Sequence, residues 1–280
     1  MTMPHEVLPG LLAADPTGPR VTYYDDRPGP AQGERIELSG AVLANWVAKA
    51  GNLLQDELDA GPGSTVALDL PAEHWRTLYW ALAAWAVGAT VVDGGGGADG
   101  GGEGGEADGG GEGGEADGGG EGGEADGGGE GGGADGGGEG GGSADVLVTT
   151  TPRAGHPAQV VVTEAALARS FAGDLPDGAI DEAADLATYG DRLDPYAEPG
   201  PGDEALVTAR GAWTYGGVVG GTGEQAPRWL VRGDLTDVLR TALTAWAAGG
   251  SVLLSRGTPA DALPHRLDVE TATPAPTLVE

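Results

Sequence analysis

The sequence predicts an α/β fold built from two related parallel βα halves, and three observations predict it. Residues 81–92 read ALAAWAVGATVV and residues 242–253 read ALTAWAAGGSVL, so an apolar helix twice ends at a glycine and passes directly into a strand. Strand patterns alternate with helix patterns on both sides of the chain's middle, the order that produces parallel pairing with right-handed crossovers. Between them lies a tract of Gly, Glu, Asp and Ala that cannot build a core. The organisation expected is therefore a first half at 1–93, an insert at 94–143, and a second half of the same domain at 144–280.

Residues 22–24 read as a short strand followed by a loop rich in Pro and Gly. Ser39 suits a helix N-cap, and Leu43, Trp46, Val47, Ala50, Leu53, Leu54 and Leu58 recur at helical spacing until Gly61-Pro62-Gly63 stops the helix. The other face of that helix carries Asn45, Lys49, Asn52, Gln55, Asp56 and Glu57 and reads as solvated. Residues 65–70 form a strand, 73–87 a helix with Trp75, Leu78, Tyr79, Leu82, Trp85 and Ala86 inward, and 89–92 a strand. After the insert, 145–149 and 160–163 read as strands, and 164–201 as turns around a short helix. Residues 205–208 and 228–232 are further strands, 235–248 a helix capped near Asp234, and 251–254 its strand. From Pro264 onward Pro and Thr leave no regular pattern.

The formal charge is −30, but thirteen acids lie within 94–143 with no base among them, which leaves −17 elsewhere. With one lysine, Lys49, and scattered arginines, the chain lacks the clustered positive charge that nucleic acid or an anionic membrane requires. The absence of cysteine removes disulfides, thiolate nucleophiles and cysteine-bound zinc. The start, Met-Thr-Met-Pro-His-Glu, has neither the basic region nor the apolar run of a signal peptide, and the apolar stretch 80–92 is too short to span a bilayer. A cytoplasmic protein is expected, with a nucleotide, an acyl ligand or a protein as its partner.

The tract repeats Gly-Gly-Gly-Glu-Gly-Gly-Glu-Ala-Asp every nine residues, which is also the period of calcium-binding β-rolls. Those rolls need an aspartate and then a large aliphatic residue. Here Glu106 and Glu115 stand in the first position, and Asp108 and Asp117 in the second. Without apolar side chains to bury, ordering glycine is not offset, so the sequence predicts a disordered, expanded loop between strands that a short linker would join equally well.

The first ninety residues resemble the N-terminal region of the adenylate-forming superfamily, which includes acyl-CoA synthetases and peptide-synthetase adenylation domains. The matching positions are Val21-Thr22-Tyr23, Leu38-Ser39, Leu43-Ala44-Asn45-Trp46, Leu53-Leu54, Leu58, Gly61-Pro62-Gly63, Val66-Ala67-Leu68, Leu70-Pro71 and the segment 81–92. More narrowly, the chain is similar to a short actinobacterial family described only as like AMP-binding enzymes. The resemblance implies ATP or AMP with magnesium as cofactors, and a phosphate-binding loop rich in Thr, Ser and Gly that ends in Pro-Lys-Gly. By position that loop falls at 206–219, where Thr208, Gly211, Thr214 and Gly217 are the vestigial cofactor-binding candidates. Trp213 occupies a small hydroxyl residue's place, Arg210 is the only nearby charge, and the loop lysine is missing. The superfamily's remaining catalytic groups would fall beyond Glu280. No catalytic residue is therefore assigned, and a degenerate, non-catalytic binding protein is expected; the rival is an active ligase completed by a partner chain.

Other constellations are weaker. His5, His74, His156 and His265 have no metal-ligand partners at helical spacing and read as exposed or hydrogen-bonded, so no metal site is assigned. Ser39 and Ser170 lack a nucleophile elbow.

Overall fold

The computed structural model describes residues 2–95, 144–156, 158–221 and 226–278. Residues 96–143, which hold nearly all of the expected disordered insert, lie outside the described residues. The first segment contains α1 (Pro4–Ala14), β1 (Pro19–Asp25), β2 (Glu34–Ser39), α2 (Gly40–Glu57), β3 (Thr65–Asp69), α3 (Trp75–Ala86) and β4 (Thr90–Asp93). The remaining three contain β5 (Val146–Thr149), β6 (Gln159–Val161), β7 (Ile180–Asp181), α4 (Glu182–Asp185), β8 (Glu204–Thr208), β9 (Gly211–Thr214), β10 (Arg228–Leu230), α5 (Leu235–Ala247), β11 (Ser251–Arg256), α6 (Leu263–Val269) and β12 (Ala272–Pro274).

The α/β class is as the sequence predicts, and the strands form two sheets. One has the order β12-β10-β11-β1-β2 and the other β7-β6-β5-β3-β4-β8-β9. Pairing is parallel throughout except for the two antiparallel edges, β1 with β2 and β8 with β9. Each sheet takes strands from both sides of residues 96–143.

The helices explain why two sheets can share one core. In α3 every residue from Trp75 to Trp85 is buried, and in α5 all residues from Leu235 to Trp246 are buried except Asp237. A helix buried round its whole circumference has packed neighbours on every side. Accordingly α3 touches β3 and β4 of one sheet and β1 of the other, while α5 touches β11 and β8. At roughly 1.5–3 kcal/mol per large side chain, burying Trp80, Trp85, Leu78 and Tyr79 fixes α3 in this central layer.

The two similar segments are equivalent in detail. Gly88 and Gly249 have φ of 87° and 76°. Gly88 N–H donates to Trp85 O and Ala89 N–H to Ala84 O; Gly249 N–H donates to Trp246 O and Gly250 N–H to Ala245 O. Both sets are Schellman closures, which need the left-handed residue that glycine supplies. Trp85 Nε1 donates to Ala205 O of β8 at 2.7 Å, and Trp246 Nε1 to Arg20 O of β1 at 3.0 Å. Val91 pairs with Leu206 and Val252 with Val21, so each indole binds the carbonyl just before the partner of the residue six positions after it. The repeated helix-to-strand unit thus attaches to its neighbouring strand in one register, once per sheet.

Two expectations are corrected. The strands β4 and β5 pair in parallel on opposite sides of β3, so the chain leaving β4 must return to the other end of the sheet before starting β5. A short loop cannot make that return; a parallel crossover takes roughly a dozen residues. The polar face of α2 is not simply solvated. Lys49 Nζ donates to Ala187 O and Tyr189 O, Asn52 Nδ2 to Gly190 O and Arg192 O at 2.9 Å each, and Gln55 Nε2 to Asp194 O at 3.4 Å. Segment 187–196 has little regular structure of its own, so α2 satisfies carbonyls that would otherwise lack partners. Gly51 permits the approach, since a Cβ there would lie 2.5 Å from Leu193 Cδ2.

Several buried charges are paired. Arg76 Nη1 donates to Glu182 Oε1 at 2.7 Å, joining α3 to α4, and Tyr79 donates to the same oxygen. His74 is 1% exposed and caps α3 by accepting from Arg76 N–H at Nδ1. Its burial pushes its pKa well below the usual range, so the ring is neutral. At the ends of the strands Arg27 bridges Asp25 and Glu164, both at 2.8 Å, and Arg256 also reaches Glu164.

Candidate functional site

Thr208, at the end of β8, and Gly211, at the start of β9, face each other across a tight hairpin turn. Gly211 has φ of 144°, a backbone state that favours glycine. Thr208 Oγ1 lies 2.8 Å from Thr236 Oγ1 in the first turn of α5, and it accepts from Arg210 N–H at 3.2 Å. The Arg210 guanidinium spans Asp234, the N-cap of α5, at 3.3 Å and Asp237 at 2.5 Å. The hydroxyl and the charge at the hairpin tip are therefore both directed to the start of α5.

Thr214 and Gly217 are elsewhere. The pairing of Thr214 with Glu204 puts them at the opposite end of the hairpin, about 13 Å from Thr208 at the usual rise per residue. There the Thr214 carbonyl accepts from Gly217 N–H and Val218 N–H, both at 2.9 Å. This turn serves packing: the buried Tyr215 donates its hydroxyl to Ala89 O at 2.8 Å. The structure thus brings together Thr208 and Gly211 but not Thr214 and Gly217. The antiparallel reversal within 206–219 separates residues that close sequence spacing suggested would converge.

Beside the hairpin tip is a cavity of about 340 Å³ lined by Arg210, Arg232, Arg240, Thr236, Thr241 and Asp237, and closed by residues 274–278. It lies past the C-terminal ends of the parallel strands β10 and β12, against the first turns of α5. This is the end of an α/β sheet at which ligands are commonly held. Arg240 is 8% exposed, and its guanidinium lies over the Trp213 ring at 4.9 Å. The indole thereby holds an arginine at the cavity wall. Arg232 makes no hydrogen bond or ion pair among the described residues. Among the described residues, three guanidinium groups and one carboxylate line this cavity, and Asp234 lies beside Arg210 at its edge. Arg232 and Arg240 were not candidates from sequence, because only the fold draws positions 210, 232 and 240 together. No group of three or more His, Cys, Asp or Glu side chains that could hold a metal ion is present among the described residues.

This arrangement of elements is known in larger proteins. The chain aligns over 97% of its length with 46% of an acyl-CoA synthetase from Brucella canis, with a TM-score of 0.62 and 14% identity. It aligns over 98% of its length with 60% of the N-terminal subdomain of NpsA from Klebsiella oxytoca, with a TM-score of 0.56 and 13% identity. The nonribosomal peptide synthetase FmoA3 is a further structural neighbour, with a TM-score of 0.59 and 16% identity over 97% of this chain and 25% of that one. In sequence, 91 residues are 55% identical to the TIGR03089 family protein of Mycobacterium tuberculosis, which amounts to 32% of this chain and 35% of that protein. No protein-family model matches the chain. The fold is that of the N-terminal region of adenylate-forming enzymes. The chain spans less than half the length of the acyl-CoA synthetase it resembles. No helix among the described residues is long and apolar enough to cross a membrane.

Proposed function

We propose that the chain is a non-catalytic counterpart of the adenylate-forming N-terminal region and binds a nucleotide such as AMP or ATP in the arginine-lined cavity. The observation that carries this reading is the convergence of Arg210, Arg232 and Arg240 beside the Thr208–Gly211 turn. Guanidinium forks match phosphate oxygens in geometry as well as charge. A K. oxytoca NpsA N-terminal subdomain was solved in complex with 3-hydroxyanthranilyl-AMSN, which shows that a fold of this kind holds such a ligand.

The same geometry argues against chemistry at this site. The hairpin has no lysine, its threonine hydroxyl is engaged by Thr236, and Arg210 is engaged by Asp234 and Asp237. Asp237, the only carboxylate lining the cavity among the described residues, is paired with Arg210, so the donor set does not suit magnesium, which binds through free oxygen ligands. Titration calorimetry with AMP tests the reading. Replacing Arg232 with Ser should weaken binding about tenfold or more, as expected for losing a charged hydrogen bond. Failure of AMP to bind, or equal binding by the Arg232→Ser variant, would overturn it. The alignment with 46% of the B. canis synthetase supports one second reading: an active ligase, acting on an acyl ligand, that is completed by a partner chain.

A further inference from the structure

A second cavity, of about 310 Å³, lies far from the arginines in chain and in composition. Its inner walls come from α1 (Leu8, Leu12), α2 (Ala44, Val47) and α3 (Leu82, Ala86), and its outer wall is the segment 191–199. That outer wall is built in: Asn52 and Gln55 hold the carbonyls of Gly190, Arg192 and Asp194, and Leu193 seats on Gly51. The volume falls at the lower end of the range for small-molecule sites, about 300–1,000 Å³, and the lining is mostly apolar, as such sites are.

The polar groups of the lining share one preference. Asp191 and Glu198 are its only formal charges, and neither has an ion-pair partner among the described residues. No lysine or arginine lines the cavity among the described residues. His5 contributes a ring whose Nδ1 is buried without a hydrogen-bond partner in the structure. Two carboxylates and an imidazole nitrogen can accept N–H groups, while an anion would meet carboxylate repulsion and no counter-charge. We propose that this cavity binds a small aliphatic ammonium, with its chain between α1, α2 and α3 and its head group at Asp191, Glu198 and His5.

Titration calorimetry on the whole chain with octylammonium, octanol and octanoate tests the proposal, because the three probes share a chain and differ in head group. Octylammonium should bind about tenfold tighter than octanoate, the scale expected for two partly exposed charge contacts. The double variant Asp191→Asn/Glu198→Gln, altered only at exposed positions, should lose that preference and keep octanol binding. Ala86→Phe, which fills the cavity, should abolish binding of all three probes while AMP binding in the same preparation is unchanged. Absence of octylammonium binding, equal or tighter binding of octanoate, or a preference that survives in the double variant would each overturn the proposal. If Ala86→Phe does not fold, the double variant decides alone. Loss of AMP binding by Arg232→Ser has no bearing on this site.

Discussion

Gly88 and Gly249 close equivalent helices, yet their surroundings differ, so substituting each with alanine separates backbone strain from packing. Both residues have positive φ, where alanine costs about 1 kcal/mol more than glycine. A Cβ at Gly249 meets nothing within 4 Å, and Gly249→Ala should lose only that amount. A Cβ at Gly88 would stand 2.8 Å from Pro62 Cγ and 3.1 Å from Pro62 Cδ. A proline ring cannot rotate away, so an overpacking cost of roughly 1–3 kcal/mol is added. Gly88→Ala should therefore be about 2–4 kcal/mol less stable than wild type in urea titration, and clearly worse than Gly249→Ala. Equal losses, or a larger loss at Gly249, would refute the account of these two helix ends.

Three further outcomes follow from packing and charge. Glu182→Ala leaves the Arg76 guanidinium buried without its carboxylate and should cost about 3–5 kcal/mol in denaturant unfolding; a loss under about 1 kcal/mol would contradict the paired-charge reading. Hydrogen bonding to Arg266 holds the Asp26 carboxyl below its usual range, so its stabilisation is present above the unfolded value of about 3.9 and fades as pH falls through the lower folded value. Asp26→Asn should flatten the acid limb of a thermal stability profile over that interval, and an unchanged limb would count against the contact. Replacing residues 96–143 with a Gly/Ser linker of about twelve residues should keep the melting temperature, whereas a linker of about three should lower it or prevent folding, because the connection must cross β3.

Much of the fold was legible because its strongest signals are local. Ser39 accepts from Val42 N–H at 3.3 Å and Asp234 from Asp237 N–H at 2.9 Å, so both helix starts fall where small polar caps precede apolar runs. The inward set Trp75, Leu78, Tyr79, Leu82 and Trp85 marks one buried face of α3, but periodicity does not show that Arg76 and Thr77 are buried as well, nor that two sheets enclose the helix. α1 was not foreseen: Pro4 and Pro9 interrupt its pattern, and the Glu6 carboxylate that accepts Met3 N–H becomes meaningful only once the helix exists. β7 is too short, and β9 too exposed, to leave an alternating pattern. The stripe of Lys49, Asn52 and Gln55 looks identical in sequence whether it faces water or backbone carbonyls. The candidate site was the least legible part. Thr208 and Gly211 lie within one turn, but Arg232 and Arg240 join them only through the order β12-β10-β11 and the placement of α5.

If this scaffold binds a nucleotide without catalysing, as we propose, ATP–pyrophosphate exchange is absent. Removing one preorganised donor of a developing negative charge typically slows a reaction by roughly a hundredfold or more. The Thr208–Gly211 turn holds no lysine and its hydroxyl and arginine are engaged by α5, so under the proposed reading several such donors are withheld together. The purified chain, at AMP-binding concentrations and with a panel of carboxylic acids, should show no exchange above background. Exchange that disappears in Thr208→Ala would contradict the account and establish the turn as a working phosphate site.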